Sequence, residues 1–184
     1  MNMIGIDPGL LGGIVVVDED GKIIQAEPMP VITKGVYDYH GILSLFTLYK
    51  GIATIAIENV GFMGVATASG ITDLCYHAGV IYGLAIAVGL PVTLAYPAVW
   101  KKQIGLPKIG TKRGTKEESD QEKKKRTSSN YRARRIAKQQ SIEYAIRLMP
   151  DLAKFGKITD GIAEAALIAK YEQNRNKGDK NAKG

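Results

Sequence analysis

Cysteine and histidine, the side chains that most often bind zinc, are scarce in this sequence of 184 residues. Its one cysteine, Cys75, excludes an internal disulfide framework and any zinc site built from several cysteines. The two histidines, His40 and His77, lack the i, i+4 spacing of a helical zinc site, so we interpret both as structural. We expect Cys75 to be a small buried residue on a helix.

Long uninterrupted apolar runs are also absent. The longest apolar stretch, residues 78–95, contains glycines and a proline and divides into a helix and a strand, so we expect no membrane span. The first residues lead directly into a predicted strand, and we therefore expect no signal peptide. With 45% hydrophobic residues the chain predicts one soluble, cytoplasmic domain with a substantial core.

Positive charge is concentrated in one part of the chain. Residues 101–140 contain 14 Lys/Arg and 4 Asp/Glu, whereas the rest of the chain contains 11 and 14. A flexible, solvated loop is the alternative interpretation, but the strong bias of sign favours a polyanionic partner, and we expect nucleic acid. The candidate DNA-binding residues are Lys102, Lys123, Lys124, Lys125, Arg126, Arg132, Arg134 and Arg135.

The apolar periodicity predicts an opening set of antiparallel strands followed by alternating helices and strands. This order is typical of an α/β fold with a mixed sheet and helices on both faces. Residues 1–173 are expected to form the domain, residues 105–130 a flexible basic loop within it, and residues 174–184 a mobile tail. The predicted strands are residues 3–8, 12–18, 22–28, 53–58 and 91–96, and the predicted helices are residues 37–49, 67–88, a segment from Pro97, 131–149 and 159–173.

Two carboxylates end predicted buried strands. Asp7 and Glu58 each follow a short run rich in β-branched residues, where an unpaired charge costs several kcal/mol unless a cation or hydrogen-bond donors compensate it. If the two strands are parallel neighbours, both side chains lie at the sheet edge where open α/β sheets bind ligands.

A second acidic pair, Asp160 and Glu164, is spaced to share one face of the last predicted helix. If that face meets the sheet edge, four carboxylates surround one cavity, and their mutual repulsion requires cations. Oxygen ligands without histidine or cysteine select Mg²⁺, with Mn²⁺ as a substitute. Two ions about 4 Å apart are typical of phosphodiester hydrolysis. Taken alone, Asp160 is equally well explained as a helix-dipole partner.

Five segments, in this order, carry a family pattern. They are residues 4–9 (IGIDPG), 57–59 (IEN) and 97–102 (PAVWKK), then Lys138 with Ser141, Ala145, Leu148, Pro150 and Asp151, and finally residues 160–165 (DGIAEA). The pattern spans nearly the whole chain and resembles the RuvC-type Holliday junction resolvases of bacteria and phages, within the ribonuclease H-like superfamily.

The resemblance implies a ribonuclease H-like mixed five-stranded sheet flanked by helices. It also implies a homodimer that binds a four-way DNA junction and nicks two strands symmetrically, with two Mg²⁺ per active site. Asp7, Glu58, Asp160 and Glu164 match the family's metal ligands, and Lys101 and Lys138 match lysines that meet the scissile phosphate.

Phe62 lies where such resolvases carry an aromatic residue that stacks on junction bases, and Met63 is a second candidate for that role. A core anchor is an equally good interpretation of Phe62. The chain departs from the bacterial pattern at Glu164, where the family has Asp, and in its longer basic stretch.

Two other functions are compatible with parts of the pattern. Asp7 followed by a glycine-rich hairpin also opens the actin-like ATPases and sugar kinases, but that architecture needs about twice this length. A catalytically silent protein that binds branched DNA is the other alternative, although four clustered acids near DNA would serve it poorly.

Overall fold

The computed structural model describes residues 1–33, 35–59, 68–107, 109–110, 112, 114–115 and 117–181. Five strands form the main sheet, in the order β3-β2-β1-β6-β7, and two further strands form a small separate hairpin. The strands are β1 (Asn2–Asp7), β2 (Gly13–Val17), β3 (Ile23–Pro28), β4 (Val31–Thr33), β5 (Val36–Tyr37), β6 (Ala53–Glu58) and β7 (Val92–Ala95).

The opening strands β1, β2 and β3 pair in antiparallel order. Strand β6 then pairs parallel to β1, and β7 pairs parallel to β6. This mixed five-stranded sheet confirms the predicted α/β architecture. The β4–β5 hairpin was not predicted, because its short, largely exposed strands carry no clear alternation of apolar residues.

Helices cover both faces of the main sheet. They are α1 (Tyr39–Leu48), α2 (Ala68–Val88), α3 (Pro97–Gln103), α4 (Asp120–Leu148) and α5 (Asp160–Asn181), and a 3₁₀ helix (Pro150–Phe155) links the last two. None of the helices in the described part of the chain combines the length and apolar content that crossing a bilayer requires.

The core has two layers because successive side chains of each strand point to opposite faces. In β1, Ile4 and Ile6 pack with residues of α1 and α2, whereas Met3 packs with residues of α4 and α5. Trp100 of α3 is fully buried in the second layer. The carboxyl ends of β1 and β6 are not covered by these layers, and they face α3, α4 and α5.

Parts of two predicted irregular segments, residues 120–130 and 174–181, are helical. Helix α4 begins at Asp120 rather than at residue 131, because Ser119 and Glu122 form a reciprocal capping box and the following Lys, Arg and Gln residues favour helix. Helix α5 continues to Asn181 rather than ending at Gln173. Polar residues without an apolar face indicated a loop and a mobile tail, but they form the end segments of two long helices.

Candidate active site

Asp7 and Glu58 lie next to each other at the carboxyl ends of two adjacent strands. Strands β1 and β6 are parallel with Ile6 opposite Ile57, so the two acids follow at the same level. The backbone N–H of Gly9 donates to Asp7 Oδ1 at 3.1 Å, and Trp100 Nε1 donates to Glu58 Oε1 at 3.2 Å. The predicted juxtaposition is confirmed, and each carboxylate has a neutral hydrogen-bond donor.

Helix α5 reaches this edge because glycines remove the side chains between it and the sheet. A Cβ added to Gly5 would lie 2.1 Å from the carbonyl oxygen of Ala165, and one added to Gly161 would lie 2.2 Å from that of Leu11. Gly161 also forms a backbone bridge with Gly12. The close approach brings Asp160 and Glu164, in the first turns of α5, to the ends of β1 and β6.

Two lysines pair with the acids of α5. Lys101 Nζ lies 2.9 Å from Glu164 Oε2 and 4.9 Å from the centre of the Trp100 ring. Lys138 Nζ lies 2.6 Å from Asp160 Oδ2. Because Lys101 comes from α3 and Lys138 from α4, three helices converge on the edge that holds Asp7 and Glu58.

Burial raises the pKa of both strand-end acids. The pKa of Asp7 rises to about 6, chiefly by desolvation, and its hydrogen bond from Gly9 opposes the rise. The pKa of Glu58 rises to about 8, again chiefly by desolvation and then through the negative charges of Glu164 and Asp7. Lys101 lowers both values. The four acids therefore share one electrostatic environment in which the strand-end pair lacks full charge compensation.

Carboxylate oxygens are suitable ligands for a hard divalent cation, but the four acids do not form a complete coordination shell. Asp7 and Glu58 supply carboxylate oxygens from a partly buried edge, where a cation would replace the missing compensation. Among the described residues, no group of three or more His, Cys, Asp or Glu side chains is arranged closely enough to hold a metal ion. The acids of α5, Glu164 and Asp160, each form an ion pair with a lysine.

Sequence reasoning assigned no role to several residues that shape this site. Trp100 donates to Glu58, and Ser141 Oγ donates to Glu164 Oε1 at 3.1 Å. The Tyr37 hydroxyl donates to the carbonyl oxygen of Pro8 at 3.0 Å and so supports the turn after Asp7. The lone tryptophan beside Lys101 was a usable signal for the first contact, and Ser141 is part of the family pattern, whereas nothing in the sequence indicated the contact of Tyr37.

The remaining candidate residues fall into three groups. Phe62 and Met63 lie outside the described residues. Lys102 is exposed on α3, and the basic residues from Lys123 to Arg135 all lie on α4. Among these, Arg126 is engaged by Glu118, with Nε 2.8 Å and 2.9 Å from its two carboxylate oxygens. Cys75, expected to be buried, is exposed on α2.

The raised pKa of Glu58 predicts a pH-dependent loss of stability in metal-free protein. A carboxyl whose folded pKa exceeds its unfolded value favours folding in its neutral form, so the penalty is absent below about pH 4.5. It grows as the pH rises and is complete above about 8. In EDTA, we expect the urea midpoint of Glu58→Gln to exceed that of the wild-type protein at pH 8.5, with a smaller difference at pH 5. Equal differences at both pH values would contradict the raised pKa.

Comparison with solved structures places this fold. No family model and no curated protein sequence matches the chain. The chain is similar to "T. thermophilus RuvC in complex with Holliday junction substrate", with a TM-score of 0.62 and 14% identity over 97% of each chain. It is also similar to "Thermus thermophilus RuvC structure", with a TM-score of 0.57 and 16% identity over 97% of each chain. The chain has a RuvC-like fold, as its motifs predict.

Proposed function

We propose that this protein is a divalent-metal-dependent endonuclease that resolves four-way DNA junctions by symmetric nicking and also acts on other branched DNA. The observation that carries the proposal is the convergence of Asp7 and Glu58 with Asp160 and Glu164 at one sheet edge, with Lys101 and Lys138 beside them. The RuvC-like fold supports it, since one of the similar structures is described as bound to a Holliday junction.

The expected metal ligands are Asp7, Glu58, Asp160 and Glu164. Two bound Mg²⁺ ions would supply activation of the attacking water and stabilisation of the leaving oxygen. Glu58, whose pKa is about 8, would have to lose its proton in order to bind a metal ion at neutral pH. Lys101 and Lys138 then exchange their carboxylate partners for the scissile phosphate, so the same ammonium groups neutralise acids in the free protein and DNA in the complex.

Incubation of purified protein with labelled four-way, three-way and linear DNA tests the proposal. We expect paired nicks in the four-way junction with Mg²⁺ or Mn²⁺, slower cleavage of the three-way junction, and intact linear duplex. Omission of the metal is expected to leave all three substrates intact. Failure to cut any branched substrate with either metal would overturn the proposed function.

Symmetric nicking requires two active sites, and we propose a homodimer formed through α2. Cys75, Tyr82 and Ile86 lie on one face of this helix at i, i+7 and i+11, with Gly79 between them. Tyr82 is 40% exposed and Ile86 is 52% exposed. A second copy of the chain would cover the exposed Tyr82 and Ile86 side chains of this face.

A charged substitution on this face is expected to abolish dimer formation and, with it, the pairing of the two nicks. Ile86→Glu places a charge in the proposed interface, so the protein should sediment as a monomer and produce single, unpaired nicks. Analytical ultracentrifugation and nick counting on a four-way junction measure the two effects. Leu48→Glu, a matched change at an exposed position of α1, serves as the control. A dimeric Ile86→Glu protein would place the interface elsewhere.

The ion pairs of the two lysines favour one alternative, a catalytically silent protein that binds branched DNA. Lys101 forms an ion pair with Glu164, and Lys138 forms one with Asp160, so each acid has a cationic partner within the protein. Such a protein would bind four-way junctions with equal affinity in EDTA and in Mg²⁺ and would cut neither. The metal-dependence experiment separates the two functions directly.

A further inference from the structure

The first half of α4 is an ordered arm rather than a loose basic loop. Asn130 is buried, and its side chain accepts the backbone N–H of Lys112 at 2.8 Å and donates to the Lys112 carbonyl oxygen at 2.9 Å. The Arg126–Glu118 pair and the capping box at Ser119 attach the preceding segment to the same helix. These contacts fix the first half of α4 to the segment that precedes it, so the exposed side chains of the helix have a defined orientation.

One line of side chains on that face leads to the candidate active site. Lys124, Tyr131 and Lys138 follow one another at intervals of seven residues, and Arg135 lies beside them, three residues before Lys138. All four are exposed, and Tyr131 is 64% exposed. Lys138 pairs with Asp160, so the line begins at the acids of the site. We call these four residues the arm row.

The arm row contains charge that the protein leaves uncompensated. Within the described residues, neither Lys124 nor Arg135 has a carboxylate at ion-pair distance, whereas Arg126 on another face is engaged by Glu118. Lys124 and Lys138 are 14 residues apart, which corresponds to about 21 Å along a helix. At 3.4 Å per base pair, this length spans roughly six base pairs of duplex.

We propose that the arm row binds the phosphate backbone of one duplex arm of the junction, from the cleavage site to about six base pairs away. This inference rests on the proposed function and names the surface that receives the substrate. Lys124 and Arg135 contact phosphates by charge, and the Tyr131 hydroxyl donates to a phosphate oxygen. Lys138, at the proximal end, places the first of these contacts beside Asp160.

The chain offers a matched control on the same helix. Lys125 and Arg132 are also seven residues apart and exposed, but the next position in their line is the neutral Gln139. Their line is rotated by about 100° from the arm row. Lys124→Gln/Arg135→Gln and Lys125→Gln/Arg132→Gln therefore remove the same charge from two different faces. Equal far-UV circular dichroism of the two variants would show that α4 is intact in both.

Binding to a four-way junction, measured in EDTA at several KCl concentrations, tests the proposal. Loss of two phosphate contacts in Lys124→Gln/Arg135→Gln should reduce the slope of log K against log salt by about 1.8. The control pair should reduce it by less than half as much. Hydroxyl-radical footprinting should show protection at about six base pairs from the cleavage site in the wild-type and control proteins, but not in Lys124→Gln/Arg135→Gln.

The proposed role of the arm row would be overturned by equal slope changes in the two variants, or by protection of the wild-type complex only at the cleavage site. Because binding is measured without metal, failure of the proposed nuclease function can be distinguished from failure of the arm-row proposal. Arm protection without cleavage in Mg²⁺ or Mn²⁺ would retain the arm row and reject the nuclease. Cleavage without protection of the duplex arm would support the nuclease and reject the arm row.

Discussion

Asp7→Asn is expected to lower the rate of metal-dependent junction cleavage by at least about a thousandfold, which corresponds to roughly 4 kcal/mol of activation free energy. Asp7 lies beside Glu58 at the ends of β1 and β6, and its carboxylate is expected to bind metal. The neutral amide keeps the acceptor for the Gly9 N–H but loses the charge that attracts a cation. Junction affinity should be unchanged or higher, because a charge that repels phosphate is removed.

The same substitution should make the metal-free protein more stable. The pKa of Asp7 is about 6, so at pH 8 the folded protein holds an ionised carboxylate in a partly buried position. We expect Asp7→Asn to raise the free energy of unfolding in EDTA by on the order of 1 kcal/mol. In Asp7→Asn, the free energy of unfolding should therefore rise while the single-turnover cleavage rate falls. Both can be measured on one preparation.

Asp20→Asn is the matched control, because it makes the same chemical change at an exposed hairpin turn. We expect wild-type cleavage and stability from it. Cleavage by Asp7→Asn at the wild-type rate would remove Asp7 from the catalytic site and with it the central argument for metal-dependent chemistry.

Gly5→Ala is expected to destabilise the protein by about 3 kcal/mol or more, because the added methyl group overlaps backbone that cannot move alone. It would lie 2.1 Å from the Ala165 carbonyl oxygen and 2.6 Å from the Ala169 backbone nitrogen. Relief of this overlap requires α5 to move away from β1. Asp160 and Glu164 would move with the helix, so cleavage should fall even at temperatures where the variant stays folded.

Gly178→Ala provides the control for this change within the same helix. A Cβ at Gly178 meets no atom within 4 Å, and alanine favours helix over glycine by about 1 kcal/mol. We expect equal or higher stability and wild-type cleavage, measured by urea unfolding and junction nicking. A Gly5→Ala protein as stable as Gly178→Ala would show that α5 does not depend on this close approach.

The sequence predicted the sheet and the position of its two strand-end acids because both depend on local patterns. Short apolar runs ended by Asp7 and Glu58 predict strands, and the helical crossover predicts that they are parallel. The pairing of Lys101 with Glu164 and of Lys138 with Asp160 could not be predicted, since each joins helices distant in sequence. The early start of α4 was missed because its capping box was hidden in a stretch that resembles a solvated loop.

The bridge between Gly12 and Gly161 joins two parts of the chain that are synthesised at different times. Strand β1 leaves the ribosome early, but its partner acids at Asp160 and Glu164 follow about 150 residues later. At about 5–20 residues per second, a nascent chain spends many seconds with Asp7 and Glu58 in place and α5 still unsynthesised. Any chain that stops before Asp160 lacks half of the proposed ligands. Incomplete synthesis is therefore expected to yield products without the proposed metal site.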